Sequence, residues 1–304
     1  MLLSICIPIY NSDIRPIATE LHRQIQAYSS EVELLFLDDA SDVFFKELNR
    51  SVGSFCGYHE LASNIGRSKI RNAFRSIAKG TYLLFIDGDS KIIQSDFIER
   101  YVERLRLTST EVLIGASIYS DEKPDRAQLL RWTYSRKRES KTITERNSQP
   151  ELEFKSNNFV ILKSIFETHL FDESLTTYGH EDTLFGYQLR QDGVKFEHIE
   201  NPVLNSNLDE NQQFLEKTKE ALRNLLLISI KLKDARFNEQ QKLVRLAFSI
   251  CKFTALRFVF RAFGHLLQPI LALLLRKGFF RLWMFDLYRL IELERIIRKN
   301  GTNK

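Results

Sequence analysis

Three short acidic stretches carry the chemistry that can be read from this chain: Asp38-Asp39, Asp87-Gly88-Asp89 and Glu181-Asp182. The second follows an apolar run, Tyr82 to Ile86, whose length and composition predict a strand covered on both faces. Ligands of parallel sheets gather outside strand carboxyl ends, so Asp87 and Asp89 are expected to enter a cleft. Mg²⁺ and Mn²⁺ prefer oxygen ligands and take one or two carboxylates together with phosphate oxygens, which a short acidic turn supplies. Gly88 lets a diphosphate approach the backbone closely. Asp38-Asp39-Ala40-Ser41 ends an earlier strand in the same manner, either to accept hydrogen bonds from a base or ribose or, at Asp39 or Ser41, to cap the next helix. Arg71 offers fixed donors to a diphosphate. Glu181-Asp182 opens a helix, where one carboxylate can cap and the other can serve as general base for an attacking hydroxyl.

The elements that must position these groups alternate in type. Strand patterns at 2–9, 33–37, 54–59, 82–86, 111–115, 158–162 and 195–199 are interspersed with helical patterns at about 14–28, near Asp42, and at 67–78, 95–105 and 181–191. Such alternation predicts an α/β sheet flanked by helices. Gly80 reads as the residue closing the 67–78 helix. Residues 120–150 are polar and basic, with Arg131, Arg136, Lys137, Arg138, Lys141 and Arg146, and read as loop and short helix above the sheet. After Pro202 the pattern is helical, over 211–233, 239–263 and 279–299, with breaks expected at Gly264, Pro269 and Gly278. The resulting division is a domain at 1–210, with a nucleotide-side part (1–115) and an acceptor-side part (116–210), then a basic amphipathic helical region at 211–304.

Charge also divides the chain, about twenty residues further on. Residues 231–304 hold 16 Lys and Arg against 5 Asp and Glu, a balance of +11, whereas 1–230 hold 28 against 34, a balance of −6. A cationic tail suits an anionic surface, either membrane or nucleic acid. The longest uncharged run, Ala262 to Leu275, is 14 residues, short of the ~20 a spanning helix needs, so peripheral membrane contact through 240–300 is expected instead of a crossing. A helical subdomain or dimer face with solvated arginines is the alternative, and a homo-oligomer stays open. Cys6, Cys56 and Cys251 lack metal spacing and read as buried thiols of a reducing compartment. The start has no basic leader, so a cytoplasmic protein on the inner face of the membrane is expected. No glycine-rich phosphate loop follows the first strand, and His180 and His198 form no zinc pair.

In order, Pro8-Ile9-Tyr10-Asn11, Asp38-Asp39-Ala40-Ser41, Asn64-Ile65-Gly66, Arg71-Asn72, Asp87-Gly88-Asp89 and Glu181-Asp182 resemble the motifs of the inverting family 2 glycosyltransferases of GT-A fold, over roughly residues 1–215. The resemblance implies transfer of a sugar from a nucleotide-diphosphate sugar, a UDP-sugar being the first choice, to a hydroxyl of a glycan or lipid-linked acceptor, as in bacterial polysaccharide biosynthesis. It implies donor contacts at Pro8, Tyr10, Asp39 on the base, Arg71, Asp87, Asn157 and Asn158. Asp89 with Asp87 would hold divalent Mn or Mg, and Asp182 with Glu181 would supply the base. Where many such enzymes carry a third metal ligand, often His, this chain has Asn205, with His198 a less comfortable substitute. A catalytically degenerate nucleotide-sugar-binding scaffold is the alternative. A nucleic-acid-binding protein ranks below it, since no recognised nucleic-acid motif accompanies the basic region, and no nucleic-acid partner is expected.

Overall fold

The computed structural model describes residues 1–107 and 109–301, without the side chains of 251, 254–256 and 301. These residues form two compact units. The first comprises 1–120, 140–176 and 181–207; the second takes in 208–301 together with 121–139 and 177–180.

The first unit is built on β1 (Leu3–Ile9), β2 (Val32–Asp38), β3 (Gly57–Glu60), β4 (Tyr82–Ile86), β5 (Ser90–Ile92), β6 (Val112–Ile114), β7 (Ser117–Tyr119), β8 (Asn158–Leu162), β9 (Phe196–His198) and β10 (Val203–Asn205). Seven of them make one mixed sheet in the order β3-β2-β1-β4-β8-β6-β9, and β5-β10-β7 make a small second sheet. β1, β2, β3 and β4 run parallel, while β8 is antiparallel to both β4 and β6. Reversal of β8 brings its amino end, Asn157-Asn158, to the edge where the parallel strands finish.

Both faces of the sheet are buried, which explains the unbroken apolar runs. Ile5, Ile7, Leu84 and Ile86 pack with Phe97, Tyr101 and Val102 of the Phe97–Leu107 helix on one side. Cys6, Leu83 and Phe85 pack with Phe74, Phe159 and Phe185 on the other. Phe85 stacks on Phe159 and Phe171 on Phe185, at centroid distances of 5.1 and 4.2 Å. Gly80 is needed for a different reason than the cap expected of it. The Arg67–Ile77 helix is capped at Ala78, while a side chain at Gly80 would lie 2.5 Å from the Ser4 backbone nitrogen in β1.

Two further expectations need correction. Residues 235–276 form three helices, Ala235–Gln240, Lys242–Lys252 and Thr254–Arg276, and the last runs through both Gly264 and Pro269 without a break. A proline in a helix interior costs about 3 kcal/mol; here the buried side of the helix, with Leu271, Ala272 and Leu275, offsets it. Within this helix Arg257–Arg276, with mean hydropathy 1.7, is long and apolar enough to cross a membrane by length and composition, which the 14-residue uncharged run did not suggest. The second unit's core joins Leu130 and Phe214 to Leu275, Phe285, Tyr288 and Ile291. Cys6 and Cys56 are free thiols, and Cys251 lies outside the described side chains.

Candidate active site

Parallel strands deliver their following loops to one edge, and the acidic stretches lie on those loops. Ile9 pairs with Asp38 at the ends of β1 and β2, and Asp87 follows β4 directly. The first two loops are stitched together. Asn11 donates its backbone N–H to Ser41 Oγ (2.8 Å), and its side-chain oxygen accepts from the Asp42 N–H (2.8 Å). Asn11 and Ala40 both hold positive φ, of 49° and 58°, a conformation that costs roughly 1–2 kcal/mol for a side-chain-bearing residue and so needs such surrounding bonds. Pro8 lies within β1, and Tyr10, just past it, is 57% exposed.

Asp38 and Asp39 are buried and committed to the backbone and a tyrosine. Asp38 accepts from the Ser41 N–H (2.6 Å) and the Tyr58 hydroxyl (3.0 Å); burial of that hydroxyl and then the Asp38 charge suppress its ionisation. Asp39 accepts from the N–H groups of Ile65 and Gly66, at 2.6 and 2.9 Å. Each Asp39 oxygen keeps one lone pair for a further donor.

Arg71 stands at the centre. It is 3% exposed on the Arg67–Ile77 helix, donates from Nη2 to Asp87 Oδ1 (2.8 Å), and brings Nη1 within 3.9 Å of Glu181 Oε1. Its guanidinium lies 5.6 Å over the Phe171 ring. Its Nε and Nη1 are buried with no hydrogen-bond partner. Buried donors are rarely left unmade, so two unused donor nitrogens beside a carboxylate edge are suited to anionic oxygens. Arg67, one turn earlier on the same helix, reaches Glu181 at 4.0 Å.

Gly88 packs over the Pro8 carbonyl, where an added side chain would come to 3.2 Å. Asp89 is open to solvent yet set among protein atoms, and this crowding, with the charge of Asp87, raises its carboxyl above the ordinary range; a hydrogen bond from Asn207 pulls the other way. Asn205 follows from the antiparallel β10–β5 ladder, where it faces Ser90, the residue after Asp89. Its Oδ1 is buried without a partner. Asp87, Asp89 and Asn205 thus offer two carboxylates and one neutral oxygen, a donor set of the hard type that Mg²⁺ or Mn²⁺ takes with phosphate oxygens. Among the described residues no group of three His, Cys, Asp or Glu forms a metal cluster.

Glu181 and Asp182 occupy the first turn of the Glu181–Gln191 helix. Glu181 is buried, and burial with the adjacent Asp182 charge raises its carboxyl despite the opposing Arg71 and Arg67. Asp182 has a side chain 20% exposed, accepts from the Thr183 N–H (2.7 Å) and lies 3.9 Å from Lys155 Nζ. In the second unit, the turn that precedes this helix is held by Asn224, whose Nδ2 donates to the carbonyls of Thr177 (3.0 Å) and Gly179 (2.9 Å).

Two candidates face elsewhere. Asn158 is buried, and its side chain is spent on the Tyr101 hydroxyl (2.7 Å) and the carbonyls of Ala116 and Asn201 (both 2.8 Å); Asn157 contributes a carbonyl to the Asp87 N–H (3.3 Å). His198 is a buried tie between Arg146 Nη1 (3.1 Å) and the Pro150 carbonyl (2.9 Å). The Arg146 donor and the carbonyl acceptor require a neutral ring protonated on Nε2, and burial lowers its pKa accordingly. Lys155, Arg67 and Asn207 were not expected. Only Arg67 carried a signal, its spacing of one helical turn from Arg71.

Comparison with known proteins places the fold. The model of glycosyl transferase family 2 matches residues 4–170. The chain belongs to that family. Among solved structures it resembles S. aureus TarS 1–349 in complex with UDP-GlcNAc, at 16% identity and a TM-score of 0.57, over 99% of this chain and 92% of that one. It also resembles the mannosyltransferase PcManGT from Pyrobaculum calidifontis in complex with GDP-Man and Mn²⁺, at 14% identity and TM-score 0.60, over 99% and 87%. A third is glucosyl-3-phosphoglycerate synthase from Mycobacterium tuberculosis with Mn²⁺, UDP and glucosyl-3-phosphoglycerate, at 15% identity and TM-score 0.51, over 75% and 79%. No match is found among curated proteins. The mixed sheet flanked by helices is the GT-A fold, and the protein is a glycosyltransferase.

Proposed function

We propose that the protein transfers a sugar, with inversion, from a nucleotide-diphosphate sugar to a hydroxyl of a glycan or lipid-linked acceptor, with Asp182 as general base. The observation that carries this reading is Arg71, a buried arginine with two donor nitrogens unused, lying between Asp87 and the Glu181-Asp182 pair. Those donors are suited to the oxygens of a departing diphosphate. Tyr10, exposed at the end of β1, offers a face for the nucleotide base, and the spare lone pairs of Asp39 can accept from it. A UDP-sugar is the donor proposed first, because two of the similar structures hold UDP or UDP-GlcNAc.

A divalent cation held by Asp89 and Asp87, with Asn205 completing the set, would offset charge on the diphosphate. The remaining work falls to side chains. Asp182 is more open than Glu181, and so is the acid assigned to the acceptor hydroxyl. It takes the hydroxyl proton as the acceptor oxygen bonds to the anomeric carbon, while the bond from that carbon to the diphosphate oxygen breaks on the opposite face. Glu181 stays behind it against Arg71 and Arg67, orienting both cations. The free thiols Cys6 and Cys56 suit a reducing, cytoplasmic setting.

Thermal stability measured across a panel of UDP- and GDP-sugars, with and without Mn²⁺, tests the donor class, because a ligand that binds only the folded chain raises its melting temperature. Stabilisation by UDP-sugars that grows with Mn²⁺, together with donor turnover, is expected; indifference to every nucleotide would overturn the reading.

A further inference from the structure

The Thr254–Arg276 helix presents two unlike sides. Phe258, Phe263, Leu266, Ile270 and Leu273 are between 51% and 74% exposed, at a spacing that puts them on one side of a helix. On the other side Gly264, Leu271, Ala272 and Leu275 are buried, with Gly264 set against Ile291 of the Leu282–Gly301 helix. That packed side carries polar ties as well: Arg261 pairs with Glu294, and Gln268 donates to Glu292 (2.7 Å), both glutamates being buried. Beyond the helix the apolar surface continues through Phe279 and Trp283, both more than half exposed. An exposed apolar stripe of this size marks a binding surface.

Charge selects the occupant. Between residues 240 and 285 the chain has eight Lys and Arg and no Asp or Glu. A second copy docked through this surface would set cations against cations with no carboxylate between residues 240 and 285 of either copy to pair them. A nucleic acid would satisfy the cations but leave phenylalanines and leucines against a polyanion. The interface of an anionic bilayer satisfies both, taking the apolar stripe at the headgroup–acyl boundary and the basic rim, with Lys252, Arg276, Lys277 and Arg281 exposed, among the headgroups.

We infer that this side of the helix is a docking surface for an anionic lipid interface, and that the helix lies in the membrane plane and does not cross it. Its length would permit crossing. Crossing would also draw buried Glu292 and Glu294 into hydrocarbon or strip them from Gln268 and Arg261, and ionised groups at the bilayer centre are strongly disfavoured. Lying flat keeps every one of those contacts. The surface is independent of the donor chemistry, so its test reads binding and leaves the transferase reading untouched.

The experiment uses the full chain with vesicles of phosphatidylcholine alone or mixed with phosphatidylglycerol. Co-flotation should be at least tenfold stronger with the anionic vesicles and weaken as salt is raised. Phe263→Glu with Leu266→Glu, both at exposed positions, should lower binding tenfold or more without changing the melting temperature; Arg276→Glu with Lys277→Glu should remove the preference for anionic lipid. In a Trp132→Phe background, Trp283 emission should shift to the blue on binding and be quenched by lipids brominated near the headgroup more than by those brominated at the chain ends. Four results would each overturn the inference: no vesicle binding, equal binding to neutral and anionic vesicles, a dimer that the Phe263→Glu, Leu266→Glu variant dissociates, or displacement of vesicles by RNA or DNA. Quenching strongest at the chain ends would overturn the in-plane orientation.

Discussion

Replacing Arg71 separates its structural and chemical roles. Arg71→Met removes a buried cation from Asp87, at 2.8 Å, and from Glu181, at 3.9 Å. Breaking a fully buried ion pair costs about 3–5 kcal/mol. Asp87 keeps a side chain 32% exposed, so water screens part of that loss, and Glu181 retains Arg67 at 4.0 Å; roughly 2–3 kcal/mol is expected after this discount. For a folding unit of this size that lowers the melting temperature by about 5–10 °C. Arg71→Lys keeps the charge but not the planar fork, so it should stay within about 1 kcal/mol of wild type in stability while losing one or more charge-assisted bonds to the diphosphate, each worth about 1.5–3 kcal/mol. UDP titrated calorimetrically into the Lys variant should therefore bind roughly 10- to 100-fold more weakly. A Lys variant, folded as wild type, that binds UDP within twofold of the parent would refute the assignment of the two unused nitrogens, Nε and Nη1, to the diphosphate.

Asn158→Ala should be destabilising by roughly 3 kcal/mol, because it strips a hydrogen-bond partner from the buried Tyr101 hydroxyl and from two buried carbonyls; denaturant unfolding checks it, and a loss confined to donor affinity would contradict the buried network. Burial lowers the pKa of His198, so the neutral ring supports the fold, with stability present above the unfolded value of about 6.5 and lost as pH falls through the folded pKa. His198→Gln should accordingly flatten the decline in melting temperature between neutral and mildly acidic pH, and an unchanged slope would count against the buried tie.

The acidic loops were legible in the sequence because a parallel sheet couples position to composition: an apolar run that stops abruptly in Asp-Gly-Asp reads as a covered strand followed by a turn at the sheet edge, and the further acidic stretches at Asp38-Asp39 and Glu181-Asp182 separate it from an ordinary turn. β8 was legible for the same reason, over the same residues, 158–162. The three-stranded sheet was not, since Ser90–Ile92 and Val203–Asn205 are short and sit between polar turn residues with no apolar run to mark them, unlike Val112–Ile114. Residues 120–150 read as loop and short helix, and Leu129–Tyr134 is such a short helix, but their basic residues mask Leu130 and Tyr134, which pack with Phe214 and Phe285 from positions distant in the chain. Type and spacing also could not say which way a side chain turns. Asn158 sits at the site edge in register with Ile86, yet its amide faces Tyr101 and Asn201. Pro269 reads as a break from local propensity alone, which the packed side of its helix overrides.

The central claim is that Asp182 takes the acceptor proton, and Asp182→Asn tests it most directly. Asparagine has nearly the same shape and lacks the base. With an acceptor identified by turnover of the wild-type chain, single-turnover transfer should fall about 10²- to 10⁴-fold, while calorimetric affinity for UDP stays within about twofold of wild type. Transfer at the wild-type rate by a variant that binds UDP normally would contradict it.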